Sequence, residues 1–288
     1  MVREGETIKK TVRFELRKDE RGVSPAISTV ILTSAVVVLL LVAVVFANNF
    51  LTARMAENEF SAVKQFMQTV GLQIDDVAWI IGRTQTVRYA SKYGQVNFES
   101  AALNYTVFVN GTVYFASYTT GILLFNMPIS KYSVGNNYYE SIFPSDKSFL
   151  QVGSSAPVSY VYVVEKLPMA DGDYIRVVVV PIIRVLNSTI SAGGGVKNYF
   201  KFYLPVLKPS ETNPRLSQSV TLTGRNVSVK TMASVNSVKI SVSFPKSSLG
   251  FGESFFNFDE IEETLNVPSG SIIEFYTSEV IVSLGLHG

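Results

Sequence analysis

The sequence predicts an α+β protein: a long N-terminal hydrophobic helix continues as an amphipathic helix and is followed by an antiparallel β-sandwich-like head. Residues 22–53 contain no Asp, Glu, Lys or Arg, and apolar residues then recur at helical spacing up to position 81. Beyond it, short apolar and aromatic segments alternate with Gly- and Pro-containing turns, as in β domains. We therefore expect a leader (1–22), a transmembrane and stalk helix (23–82) and a β-rich head (83–288).

Composition excludes several classes of function. The 288 residues include no cysteine, so disulfides and thiolate metal sites are excluded. The one histidine, His287, is the penultimate residue, which excludes catalysis by an internal histidine. A formal charge of +2 gives no support for nucleic acid as a partner. We expect neither a cofactor nor a bound metal.

The uncharged segment 22–53 is long enough to cross a membrane. As a helix its 32 residues would span roughly 48 Å, more than the ~30 Å hydrocarbon core of a bilayer. Ser24 suits the N-cap position, and Pro25 suits the first helical position, where its missing N–H costs nothing. The sequence predicts a membrane helix that begins at this pair.

Charge on either side of this segment predicts its orientation. Residues 1–22 hold seven basic and five acidic residues, and Arg17, Lys18 and Arg21 lie at the boundary. Only Arg54 follows closely on the far side. Because basic residues near a span keep that end inside, we expect a cytoplasmic N-terminus and an exported head.

The stretch Arg21-Gly22-Val23-Ser24-Pro25-Ala26-Ile27-Ser28-Thr29-Val30-Ile31-Leu32 resembles the amino-terminal signature of archaeal type IV pilins and archaellin-like proteins. The resemblance covers roughly residues 17–50. It implies that a prepilin peptidase-like enzyme cuts between Gly22 and Val23, and that the mature helix moves from membrane lipid into the core of an extracellular cell-surface filament made of copies of the chain. The residues expected on that membrane and polymerisation helix are Pro25, Ile27, Val30, Ile31, Val37, Leu40 and Val44.

Two other uses of the same segment remain open. An uncleaved signal-anchor would have the same length and topology and would give a single-pass membrane protein with an extracellular β-rich binding domain. A secretory signal could instead end near Val45-Phe46-Ala47, although its apolar region would be far longer than the usual 7–15 residues.

A heptad seam follows the membrane segment and predicts that the helix continues to about Gly82, with a bend at Gly71. Such a seam must be buried, either against neighbouring subunits or against the chain's own β-sheet, and both can hold at once. Its residues, at alternating spacings of three and four, are Phe60, Val63, Met67, Val70, Ile74, Val77 and Ile81.

The head is predicted from strand and turn signals. Asn110-Gly111 predicts a type I′ hairpin turn between strands at 104–109 and 112–117. The apolar run before Pro181 predicts a central strand buried on both faces. A short acidic helix is expected over 255–265. The remaining predicted strands are 121–125, 158–164, 174–180, 199–204, 219–222, 238–244 and 272–284.

Four Asn-x-Ser/Thr sequons support export and are candidate N-glycosylation sites: Asn104, Asn110, Asn187 and Asn226. Asn110 lies in the predicted hairpin turn, which makes it the most accessible of the four.

Only weak catalytic arrangements occur. Asp171-Gly172-Asp173 predicts a tight turn, since a calcium site needs more oxygen ligands. The acidic residues Asp259, Glu260, Glu262 and Glu263 predict a solvated helix start rather than a carboxylate pair for glycoside hydrolysis. We therefore do not expect an enzyme, and a secreted carbohydrate-active enzyme is the remaining alternative of that class.

Overall fold

The computed structural model describes residues 25–192, 195–211 and 218–285, which divide into two compact units between Leu51 and Thr52. The predicted leader and the predicted cleavage site at Gly22 and Val23 lie outside these residues. The first unit contains the apolar part of the long helix, and the second contains its amphipathic part together with every described strand.

The long helix α1 comprises Pro25–Ala78. Its C-terminal end is fixed on the sheet, because the Ser278 hydroxyl donates to the carbonyl oxygen of Ala78. Gly224 also lies against this end, where a Cβ would be 2.4 Å from the carbonyl oxygen of Val77. The helix therefore ends earlier than the predicted Gly82, and Ile81 lies in the following turn.

Eleven strands and two short helices make up the described head. The helices are a 3-10 turn at Ser247–Leu249 and α2 at Glu253–Phe256. The strands are β1 (Thr84–Arg88), β2 (Gln95–Val109), β3 (Val113–Pro128), β4 (Tyr138–Phe143), β5 (Leu150–Val152), β6 (Ser159–Glu165), β7 (Tyr174–Pro181), β8 (Ile183–Ala192), β9 (Gly195–Pro209), β10 (Ser219–Ser243) and β11 (Glu262–Leu284).

All described strands belong to one mixed sheet, in the order β4-β6-β7-β3-β2-β10-β11-β9-β8-β5, with β1 paired to β10. The predicted long apolar helix and β-rich head are confirmed. The prediction of a wholly antiparallel sandwich is not, because β9 pairs with β11 and β5 pairs with β8 in parallel. The sheet also folds back on itself: the Thr120 hydroxyl on β3 accepts a hydrogen bond from the Leu207 amide on β9.

Several predicted strands prove to be parts of longer ones. The segment 219–222 and all but the last residue of the segment 238–244 belong to the single strand β10, whose bulges after Gly224 and Met232 let it bend without ending. Pro205 does not end β9, because β9 pairs with β8 only up to Tyr203 and a missing N–H is tolerated on that side. The acidic helix predicted over 255–265 is wrong: α2 ends at Phe256, and β11 begins at Glu262.

Two apolar cores lie on opposite faces of the sheet, and β7 contributes to both. Val177 and Val179 belong to the core shared with α1, whereas Val178 and Val180 belong to the inner core with α2. The predicted central strand buried on both faces is therefore confirmed, and it ends at Pro181 as expected.

The predicted Asn110-Gly111 turn joins β2 to β3, and both residues have positive φ, 50° and 90°. The loop has three residues rather than two, since Val109 pairs with Val113. A bulge follows on β3, where Phe115 is left without a partner between the Val107–Ala116 and Phe108–Tyr114 pairs.

Candidate functional site

The apolar part of α1 is exposed along its whole length within its own compact unit. Within its own unit, the large apolar side chains from Ile27 to Leu51 are 47–73 % exposed. The predicted membrane and polymerisation residues all lie on this exposed segment: Pro25, Ile27, Val30, Ile31, Val37, Leu40 and Val44.

Three hydroxyl side chains in this segment bond to backbone carbonyls within the helix. The Thr29 hydroxyl donates to the Ala26 carbonyl at 2.9 Å, the Thr33 hydroxyl to the Thr29 carbonyl at 2.8 Å, and the Ser34 hydroxyl to the Ile31 carbonyl at 2.9 Å. Internal bonding of the backbone and of these three hydroxyls lowers the cost of moving that part of the helix into an apolar environment.

Among the described residues, α1 is the one helix long and apolar enough to cross a membrane. Its portion in the first unit, 25–51, rises about 40 Å, which exceeds the ~30 Å hydrocarbon core. The segment is compatible with a membrane span or with a signal sequence.

The stalk seam is buried against the chain's own sheet. Six of its seven predicted residues are at most 2 % exposed and pack with β6 and β7: Phe60, Val63, Met67, Val70, Ile74 and Val77. The prediction that Ile81 belongs to the seam is wrong, because Ile81 follows the end of α1 and is 66 % exposed. Of the two partners considered for the seam, the structure describes the intramolecular one.

Gly71 is the point of closest approach between α1 and the sheet. A Cβ at this position would lie 2.7 Å from Cγ2 of Val161 and 3.0 Å from Oγ of Ser159, both on β6. The Ser159 hydroxyl also donates to the Gly71 carbonyl at 2.9 Å. The glycine predicted to bend the helix thus has a packing role.

Two of the four sequons have their amides engaged. Asn104 on β2 accepts hydrogen bonds from the Ser117 and Thr119 hydroxyls at 2.8 and 3.1 Å. The Asn110 amide donates to the Ser234 carbonyl at 3.2 Å and accepts from the Asn236 amide at 2.9 Å. Asn110 is exposed, as expected, but its side chain holds a bulge of β10.

Asn187 on β8 and Asn226 on β10 are exposed, and we find no hydrogen bond from either side-chain amide to another described residue. Both residues also lie on strand segments with a neighbour on one side only. Of the four sequons, these two have the more accessible side chains.

The Asp171-Gly172-Asp173 segment forms the predicted turn, and the structure adds a buried partner. Asp171 accepts two hydrogen bonds from the Arg176 guanidinium, at 2.6 and 2.8 Å. Arg176 is 1 % exposed and also bonds Asn126 at 3.2 Å. A buried charge requires such partners, so this acidic turn neutralises an arginine in the central strand.

The acidic residues near the start of β11 do not converge. Asp259, Glu260 and Glu262 are exposed, whereas the half-buried Glu263 accepts from the Ser148 hydroxyl at 2.8 Å and the Phe149 amide at 3.2 Å. Burial raises the pKa of the Glu263 carboxyl above its ordinary value. This carboxyl holds the loop before β5, and the nearby Asp146 carboxylate in that loop also raises its pKa.

A cluster of tyrosines in the inner core was missed by sequence analysis. Tyr105, Tyr139, Tyr160 and Tyr162 lie together with Phe149 and Phe258. Burial raises the pKa of each of these phenols, so they stay neutral. The signal was the run Ser-Tyr-Val-Tyr-Val-Val, in which every second residue faces the inner core.

The described residues contain no group of three or more His, Asp or Glu side chains placed to hold a metal ion. Comparison with protein-family models, with characterised proteins and with solved structures finds no match for this chain.

Proposed function

We propose that the chain is a structural subunit of an archaeal type IV pilus-like cell-surface filament, assembled through its N-terminal helix. The observation that carries the proposal is the apolar segment 25–51, which has no charged residue and is exposed along its whole length within its own described unit. Its resemblance to the pilin signature around Gly22 adds the processing step that would release it from the membrane.

The driving force for assembly is burial of this segment among its copies. Moving a Val, Leu or Ile side chain from water to an apolar environment contributes about 1.5–3 kcal/mol, and this segment exposes more than a dozen such side chains. Lipid covers them before assembly, and neighbouring helices cover them afterwards. The seam from Phe60 to Val77 packs α1 against the sheet of its own head. The head stays outside for adhesion or contact.

A subunit of this kind needs partners and no active site. The partners are copies of itself, membrane lipid before assembly, and a prepilin peptidase-like enzyme that recognises Gly22. The proposal includes no cofactor, no enzymatic activity and no nucleic acid.

The mature N-terminus tests the proposal. Intact mass and N-terminal sequencing of the protein recovered from producing cells should place it at Val23, and Gly22→Asp should abolish this processing. Gly5→Asp makes the same chemical change elsewhere in the leader, and we expect it to leave the processing at Gly22 unchanged.

A chain that keeps residues 1–22, from cells that carry no fibres, would overturn the filament proposal. That result would favour the rival function, a single-pass membrane protein with an extracellular β-rich binding domain. The same apolar segment favours the rival, because a permanent span also needs an uncharged run of this length.

A further inference from the structure

Four neighbouring strands of the head, in the order β10-β11-β9-β8, have an open edge on each side. On β8, β5 covers only residues 183–185, and the Gly153 amide donates to the Val185 carbonyl at the end of that cover. From 186 to 192, no described strand pairs with the outer side of β8.

The edge on β10 lies between two covered stretches. β1 pairs with residues 219–223 and β2 with residues 238–243. Between them, residues 226–232 pair with β11 alone among the described strands. We name the two stretches the β8 edge (186–192) and the β10 edge (226–232).

Neither edge carries the usual protection against pairing. Exposed edges are commonly blocked by charged residues, by proline or by shortness. The two edges have seven residues each, contain no proline, and include Lys230 as their one charged residue. Each therefore presents unpaired backbone groups over about 20 Å.

Strand direction decides how the two edges can meet. β8 runs antiparallel to β9, β9 runs parallel to β11, and β11 runs antiparallel to β10. The β8 and β10 edges therefore run in the same direction. A second copy moved sideways would continue the sheet, with its β10 beside β8 as a parallel pair and the same strand order repeated.

We propose that the β8 edge of one copy pairs in parallel with the β10 edge of the next copy. The partner is a second copy because this chain itself offers an open edge of equal length and the required direction. The pairing is heterologous and does not close on itself, so it propagates linearly. It deepens the proposed function, on which it rests for bringing copies together.

The ladder registers also restrict the offset between copies, because paired residues must point to the same face of the sheet. Ser188, near the middle of the β8 edge, is level with Ile272 on β11, and Val229, in the middle of the β10 edge, is level with Tyr276 on the same face. Four residues of strand separate these levels, so pairing Ser188 with Val229 would displace successive heads by about 13 Å along the strands. Ile190 and Val229, 49 % and 51 % exposed, would then share one face of the extended sheet.

The absence of native cysteine allows a direct cross-linking test. The full-length chain, in detergent and on producing cells, carries Ser188→Cys together with Val229→Cys and is treated with a short bismaleimide. We expect a ladder of dimers, trimers and higher multimers. Ser188→Cys with Leu249→Cys is the matched control, since Leu249 is exposed but lies outside any strand, and should give no ladder.

A charge on the edge provides the second test. In the double-cysteine chain, Ile190→Lys should reduce multimers at least fivefold, because it adds a charge to the β8 edge. Ile261→Lys changes an exposed isoleucine that precedes β11 and should leave the ladder unchanged. Circular dichroism confirms that both variants are folded.

Three results would overturn the inference. One is a double variant that cross-links no more than its control. Another is Ser188→Cys alone forming dimers, which would indicate self-pairing of β8. The third is a glycan mass on Asn187 or Asn226, which would block these edges. A cleaved leader with fibres but no ladder rejects the edge pairing alone, whereas an intact leader without fibres rejects the filament.

Discussion

At the scale of single residues, Gly71 determines how closely the stalk approaches the sheet. Gly→Ala inside a helix ordinarily stabilises by about 1 kcal/mol. Here the new methyl would meet Val161 at 2.7 Å, so we expect Gly71→Ala to destabilise the head by about 1–3 kcal/mol. Urea unfolding measures it. Leu72→Ala, on the exposed side of the same turn, should stay within about 0.5 kcal/mol. Equal effects of the two substitutions would contradict the close contact.

Glu263 makes stability depend on pH. Because burial raises the pKa of its carboxyl in the folded protein, its contribution is fully present below the unfolded pKa and is lost as pH rises through the folded pKa. The Glu263→Gln side chain cannot ionise and does not lose this contribution. The free energy of unfolding of the variant, relative to that of the parent, should therefore increase as pH rises from about 4 to about 7. Denaturant titrations at both values measure the difference. For the exposed Glu260→Gln we expect no comparable change.

At the scale of elements, the seam of α1 offers a matched pair of isoleucines. Ile74 is fully buried between helix and sheet, whereas Ile81 occupies the same heptad position and is exposed. Ile74→Ala should cost about 2–5 kcal/mol through lost burial and a cavity, and Ile81→Ala at most about 0.5 kcal/mol. Thermal or urea unfolding compares them. A large loss of stability in Ile81→Ala would indicate that Ile81 is buried as part of the seam after all.

The same element shows how far sequence reasoning reached. Periodicity placed six seam residues correctly, because a stripe of apolar side chains is buried wherever a surface is available. It extended one turn too far, since the helix end is set by Ser278 and Gly224, which are distant in sequence. The acidic helix failed for a related reason: the segment after α2 is drawn into β11 by pairing with β10.

At the scale of the whole molecule, the uncharged segment should be sensitive to a single charge. A lysine at the centre of a membrane helix costs about 2.5–3.5 kcal/mol. We therefore expect Val37→Lys to reduce the membrane-associated and filament fractions strongly. Fractionation of producing cells measures this. Met55→Lys adds the same charge beyond the uncharged run and should have little effect. Normal assembly of Val37→Lys would contradict a buried role for the segment.

The sequence alone determined the long apolar helix, its amphipathic continuation, the Asn110 turn and the doubly buried strand before Pro181, because each depends on neighbours within a few residues. Tertiary structure decided that the described strands form one mixed sheet and that Arg176 meets Asp171 at the central strand. It also decided that Asn187 and Asn226 lie on open edges. Strand order and pairing join residues far apart in the chain, and the local propensity of a segment to form a strand does not determine which other strand it pairs with.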